Sequence, residues 1–257
     1  MARRNRDRTR IGNRRMKALE RLRCGESVFG MMQTYPDPAL TEIALWCGYD
    51  FVLLDCEHGV VDEQAQLNVL RTIAGSHAFS LVRTRHGDQG EVARHFDFGV
   101  DGVVVPNVST PAQAIEMAAA RARWTGGLRA DRYGLINPGS MAASPLLIVL
   151  IESPLGVKNV EAILDVEGVS GAMVGAGDLS MRFGKPGDFA STEFVAAVAR
   201  VEQAVVARKK IMGGKIDATS RLSALQDRGY RLMIAGRDLA MIKNGFLEAL
   251  TESKRES

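Results

Sequence analysis

The sequence predicts an α/β protein folded as a single (β/α)8 TIM barrel, and three observations carry that prediction. Eight short apolar segments alternate with segments of helical periodicity along most of the 257 residues, the order produced by parallel strands joined through crossover helices. Ionisable side chains collect just past the apolar segments: Asp55, Glu57 and His58 after the second, Arg83 after the third, Glu152 after the fifth, Asp178 after the sixth. Barrels of this class place their chemistry at the carboxyl ends of the strands. Finally, no GxGxxG follows the first apolar segment, as a doubly wound dinucleotide-binding sheet would require.

The elements follow in order. Ser27–Met32 is a first strand, and Leu40–Trp46 a helix begun after Pro38 and stopped by Gly48. Tyr49–Asp55 is a second strand, strongly apolar until its last residue. Asp62–Ala74 is helical, Ser80–Val82 a third strand, and Gly90–Phe98 a short helix with Asp97 near its end. Gly102–Val105 is strand four, terminated by Pro106 and Asn107, and Thr110–Arg123 is helical. A turn-rich stretch from Thr125 to Ser144 carries Arg132 and Tyr133; so long a segment without a pattern suits a functional loop. Leu147–Ile151 is a fifth strand, β-branched and apolar as expected of burial on both faces. Gly156–Leu164 is helical, Gly171–Val174 is strand six, and a helix is expected from Leu179. The rest reads as helix Glu193–Lys209, strand Ile211–Ile216, helix Arg221–Arg228, strand Leu232–Ala235 and a closing helix Met241–Leu250.

Composition narrows the class. The chain is 46% hydrophobic, enough for a large single core. No apolar run approaches the roughly 20 residues that span a bilayer. Cys24, Cys47 and Cys56 show no ligand spacing and read as reduced thiols, and with no secretory signature the expected location is cytoplasmic. The net charge of +3 is unevenly held: residues 1–25 carry +8, leaving −5 to the remainder. Residues 1–25 therefore read as a basic N-terminal arm, helical from about Arg15 to Arg23, and residues 26–257 as the barrel domain. Such an arm can bind phosphates non-specifically, but it lacks interleaved aromatics and no nucleic-acid fold follows. A solvated tail, dispensable for catalysis, is the expectation.

Two strand-end carboxylates one βα unit apart, Glu152 and Asp178, can converge on one cation. Oxygen-only ligation suits Mg²⁺, Mn²⁺ or Co²⁺ better than a structural zinc. Alternatively, Glu152 caps a loop and Asp178 caps the helix from Leu179. His58, three residues from Asp55 and beside Glu57, is an acid–base candidate. Lys215, at the end of strand seven, is the one strand-end lysine that keeps a Schiff-base mechanism open.

The segments LLDCEHG (53–59), VRTR (82–85), FDFGVDGVVVPNV (96–108), IESPLGVKNVEAIL (151–164), GVSGAMVGAGDLS (168–180) and GYRLMIAGRD (229–238) together resemble the 4-hydroxy-2-oxoheptanedioate aldolase family. That family comprises class II pyruvate aldolases of the phosphoenolpyruvate/pyruvate barrel superfamily, and the likeness runs from Val28 to about Leu250. It implies a divalent-metal-dependent aldolase that reversibly cleaves a 4-hydroxy-2-oxo acid to pyruvate and an aldehyde through a metal-stabilised enolate. Glu152 and Asp178 match the metal ligands, and Arg83 the arginine that binds the pyruvate carboxylate. Asp55 and His58 match the acid–base dyad, and the Gly177 and Asp178 amides match groups that hold the substrate carboxylate. Asp97 matches an acid that reaches the site of a neighbouring subunit. The resemblance further implies a homohexamer with the last helices exchanged between barrels. Leu150 stands where many members carry Gln, and the 4–5 loop, with GGLRADRYG, departs from the family pattern. Citryl- and malyl-CoA lyase-like enzymes share the barrel and its carboxylates. A non-catalytic relative that uses the arm is a third reading.

Overall fold

The computed structural model describes residues 18–74, 76–122, 145–216 and 221–255. Eight parallel strands close a barrel in sequence order, β8 pairing back onto β1. They are β1 (Val28–Gln33), β2 (Phe51–Asp55), β3 (Phe79–Arg83), β4 (Gly102–Val105), β5 (Leu146–Ile151), β6 (Gly171–Val174), β7 (Ile211–Lys215) and β8 (Tyr230–Arg237). The helices are α1 (Pro38–Trp46), α2 (Glu63–Ala74), α3 (Gln89–Asp97), α4 (Pro111–Ala122), α5 (Pro154–Lys158), α6 (Val160–Leu164), α7 (Ala176–Arg182), α8 (Thr192–Ala207), α9 (Leu222–Asp227) and α10 (Asp238–Arg255).

Strand alternation sorts the core into two shells. Phe51, Leu53, Phe79, Leu81, Ile148, Leu232 and Ile234 fill the interior. Val52, Leu54, Val82, Val103, Leu147 and Val149 face the helices. Gly30 makes room in the interior, since a Cβ there would collide with the Phe51 ring. In each strand the interior row continues upward to the mouth, so Asp55, Arg83 and Glu152 sit above Leu53, Leu81 and Leu150 and enter the same space.

Four expectations change. The segment expected as one helix over Gly156–Leu164 is two, divided at Asn159, which leaves helical geometry (φ −98°, ψ 6°). The helix after β6 starts at Ala176 rather than Leu179, so Asp178 lies within its first turn instead of capping it. Strand β8 extends to Arg237 because a bulge beyond Ile234 lets Gly236 and Arg237 keep pairing with Met31 and Met32. The arm boundary after residue 25 also moves. Residues 18–23 are helical, and Ala18 and Leu22 are buried against the interior shell. They close the barrel floor, the apolar end that water would otherwise reach. Residues 1–17 and the Thr125–Ser144 loop lie outside the described residues.

The loop after β3 is held by Glu91, whose Oε1 and Oε2 accept the Arg85 and His86 amides at 2.8 and 2.7 Å. Burial pushes this carboxyl up, but His95 and the two amides outweigh it and bring it down to about 2.

Two stability tests follow from these anchors. Leu22→Ala should destabilise the fold by roughly 2–5 kcal/mol, as a fully buried Leu truncation does, and lower the thermal midpoint; an unchanged midpoint would mean the floor is not packed. Glu91 has a depressed folded-state value, so its contribution is present at neutral pH and lost as pH falls from 4.5 towards about 2. The deficit of Glu91→Gln relative to the parent should therefore shrink between pH 7 and pH 3, read as the difference in thermal midpoints.

Candidate active site

Asp55 and Arg83 are direct partners in the β2–β3 register. The Arg83 Nε donates to Asp55 Oδ1 at 2.8 Å and Nη2 to Oδ2 at 2.6 Å. Asp55 Oδ1 also accepts the backbone amides of Glu57 and His58, each at 3.2 Å. Burial pushes the Asp55 carboxyl up, but the Arg83 fork, reinforced by His58, holds it below its ordinary value. Arg83 Nη1 lies 3.0 Å from Glu57 Oε2. Burial raises the Glu57 carboxyl despite that neighbour.

The expected Asp55–His58 dyad is not formed between side chains. Asp55 spends its oxygens on Arg83 and on two backbone amides, so it holds His58 by its N–H, not by its ring. The ring is largely exposed, at 61%, and its Nε2 lies 3.9 Å from Glu57 Oε2. Glu57, not Asp55, is the carboxylate beside the imidazole.

Glu152 follows β5 directly and is 1% exposed. Its Oε1 accepts the Asn107 amide at 2.7 Å, while its Oε2 is buried with no hydrogen-bond partner among the described residues. Burial pushes this carboxyl up to about 7, the Asn107 amide opposing and the Glu57 and Asp178 charges adding. Gly175 is required here, because a Cβ at that position would occupy the space of Glu152 Oε2. Asn107 takes the left-handed conformation (φ 57°), which Asn tolerates better than most residues, and its Oδ1 accepts a bond from Arg182. Sequence reading noted Pro106–Asn107 only as a strand stop; a Pro–Asn pair at a barrel strand end was the available signal. Glu152 does cap a loop, then, with one oxygen, and the other remains unpaired.

Asp178, in the first turn of α7, shares a cavity of about 610 Å³ with Glu152, Arg83, His58 and Gly177. Leu150 and Met173 form its apolar floor. The donor set fits a hard divalent cation: an unpaired buried carboxylate oxygen on Glu152 and a second carboxylate on Asp178 in the same cavity. No group of three or more His, Cys, Asp or Glu that could hold a metal occurs among the described residues, so water and substrate oxygens would complete the shell.

Asp97 is not brought to this cavity. It ends α3, which descends from the mouth toward the floor and leads through Gly99 into the start of β4. No helix among the described residues is long and apolar enough to cross a membrane.

Comparison with known proteins agrees with this fold. The hydroxypyruvate/pyruvate aldolase of Delftia acidovorans is 31% identical over 239 residues, 89% of each chain. The pyruvate aldolase of Rhizobium etli is 32% identical over 238 residues, covering 88% of this chain and 92% of that protein. A HpcH/HpaI aldolase/citrate lyase family protein from Burkholderia cenocepacia superposes with a TM-score of 0.82 at 27% identity, over 91% of this chain and 98% of that one. The family model for HpcH/HpaI aldolase/citrate lyase matches residues 29–244. With its barrel, its strand-end carboxylates and this match along most of its length, the chain belongs to the HpcH/HpaI aldolase/citrate lyase family, a family of carbon–carbon lyases.

Proposed function

We propose that the protein reversibly cleaves a 4-hydroxy-2-oxo acid to pyruvate and an aldehyde. The observation that carries this reading is the unpaired, buried Oε2 of Glu152 in the same cavity as Arg83 and His58. A negative oxygen is costly there without a cation, and a divalent cation held by Glu152 and Asp178 would supply Lewis-acid polarisation of the 2-oxo group.

The chain's own residues do the rest. Arg83 presents a guanidinium fixed by Asp55, and with five N–H donors it keeps some for the carboxylate and 2-oxo oxygens of the substrate. Asp55 is a positioning residue, since its oxygens are taken. His58 lines the cavity with its ring free to turn, and takes the proton from the C4 hydroxyl. The C3–C4 bond then breaks, its electron pair passing toward the C2 oxygen as the aldehyde departs. A proton returned to C3 gives pyruvate. Glu57 is placed to stabilise the imidazolium formed on the way. The Gly177 and Asp178 amides, at the start of α7, are available to the substrate carboxylate. Leu150 gives the floor of the cavity an apolar surface where a Gln would offer a hydrogen bond.

Two features support a homo-oligomer, for which the family resemblance implies a hexamer. Helix α10 exposes Leu239, Met241, Phe246, Leu247 and Leu250, a stripe expected to be covered by another copy. Asp97, far from its own cavity, would act only in a neighbouring barrel.

Chelation should abolish pyruvate release from 4-hydroxy-2-oxo acids, and Mg²⁺, Mn²⁺ or Co²⁺ should restore it, while Glu152→Gln should weaken metal binding measured by calorimetry. Full activity after exhaustive chelation, with a borohydride-trapped adduct on Lys215, would replace this reading with a Schiff-base mechanism. His58→Ala should lower kcat by roughly 10²–10⁴-fold, the usual worth of a general base, with metal affinity retained. An unimpaired kcat would pass the proton to Glu57 or water.

A further inference from the structure

The wall of the cavity across from Arg83 is cationic, and the chemistry described above leaves it unused. Lys215 ends β7, diametrically across the eight-stranded ring from β3, and Arg237 ends β8 beside it; both line the cavity and both are solvent-accessible. Register shows that the two side chains enter the barrel rather than leave it. Neighbours at paired positions of adjacent strands share a face of the sheet. Lys215 pairs with Ile234, and Arg237 pairs with Met32; Ile234 and Met32 both belong to the interior shell. The inward position of Arg237 depends on the bulge in β8. Strict alternation beyond Ile234 would have sent Gly236 inward and Arg237 outward, and the extra residue reverses the two.

The other cations around the cavity are engaged. Arg83 is forked by Asp55 and faces Glu57, Arg228 is paired with Glu202, and Arg182 donates to Asn107. Lys215 and Arg237 have no ion-pair partner among the described residues. Asp238, next to Arg237, makes no ion pair with it among the described residues; its oxygens receive the Thr34 amide and hydroxyl and the Tyr35 and Leu239 amides at 2.7–2.8 Å. Those bonds tie the end of β8 to β1 and fix the backbone from which Arg237 projects. Below Lys215 the inward residue is Gly213, whose missing side chain leaves room for Met173, so the surface under the lysine is apolar.

The cavity thus has two electrostatic halves. Glu152, Asp178 and Glu57 make one half suited to a cation and the 2-oxo acid head. Lys215 and Arg237, at the ends of β7 and β8, make the other suited to an anion, on strands that Arg83, Glu152 and Asp178 leave free for the rest of the substrate. We propose that Lys215 and Arg237 form an anion subsite that selects an aldehyde bearing a negatively charged group, a carboxylate or a phosphate, at the end remote from its carbonyl. This rests on the aldolase reading above and adds the specificity-determining residues of the acceptor side.

The test is condensation by the full-length protein with saturating pyruvate and Mg²⁺, comparing propanal, succinic semialdehyde and glycolaldehyde phosphate. The parent should prefer one of the charged aldehydes to propanal, and which one decides between carboxylate and phosphate. Lys215→Met and Arg237→Met should each reduce the charged-to-neutral ratio of kcat/KM by about tenfold, equivalent to ~1.4 kcal/mol, mainly through KM, with Lys215→Arg and Arg237→Lys restoring much of it. A parent that does not discriminate by charge, or a preference that survives both Met substitutions, would overturn the inference. So would loss of turnover with every aldehyde in Lys215→Met, which would place that lysine in the chemistry. Exchange of the pyruvate methyl protons with D2O, followed by NMR without any aldehyde, reports the first half of the reaction independently. Its absence in the parent would remove the aldolase reading itself, and the acceptor subsite with it.

Discussion

The buried fork between Asp55 and Arg83 is the contact on which the mouth of the barrel depends. The Arg83 guanidinium is largely buried at the top of the barrel, and a carboxylate in register on the adjacent strand meets its charge with two hydrogen bonds. Such a pair adds little to stability compared with an apolar filling of the same volume, whereas removing one member leaves a buried charge at a cost of about 3–5 kcal/mol. Its value is positional. Asp55 turns the backbone at Glu57 and His58, and Arg83 draws the Glu57 carboxylate toward itself. One pair thereby sets the place of the imidazole, of the carboxylate beside it and of the guanidinium that meets the substrate.

A second constraint acts across the barrel. Glu152 is held by one oxygen to the Asn107 amide and leaves the other buried and unpaired. Gly175 and the left-handed Asn107 make that arrangement sterically feasible. The electrostatic result is a carboxyl pushed up to about 7 by burial and by its acidic neighbours, poised to be neutralised by a proton or by a cation. With Lys215 and Arg237 at the ends of β7 and β8, it gives the cavity an acidic and a basic side. A substrate with a 2-oxo acid at one end and an anionic group at the other is complementary to both.

Strand and helix order, the closed barrel and the mouth position of Arg83, Glu152 and Asp178 were legible along the chain, because they follow from alternation: apolar residues at every second position end in a polar one at a strand terminus, and barrel geometry brings all such termini to one face. The side-chain partners of Asp55 and His58 were not legible, for a related reason. Proximity in sequence is not orientation, and an Asp two or three residues before backbone amides satisfies itself locally before it can reach an imidazole. Ala18 and Leu22 looked like part of a basic arm, since two small or apolar residues among arginines carry no periodic signal strong enough to announce a barrel floor.

The sequence by itself determined the fold, the family and the set of charged residues available at the strand ends, since these depend on residue type and spacing alone. Tertiary structure decided which of those charges meet. Asp55 is paired in register with Arg83, Glu152 keeps one oxygen free because Gly175 yields space, and a bulge in β8 turns Arg237 inward. Each of these is a relation between strands, set by register and by the closing of the barrel, and no single strand contains it.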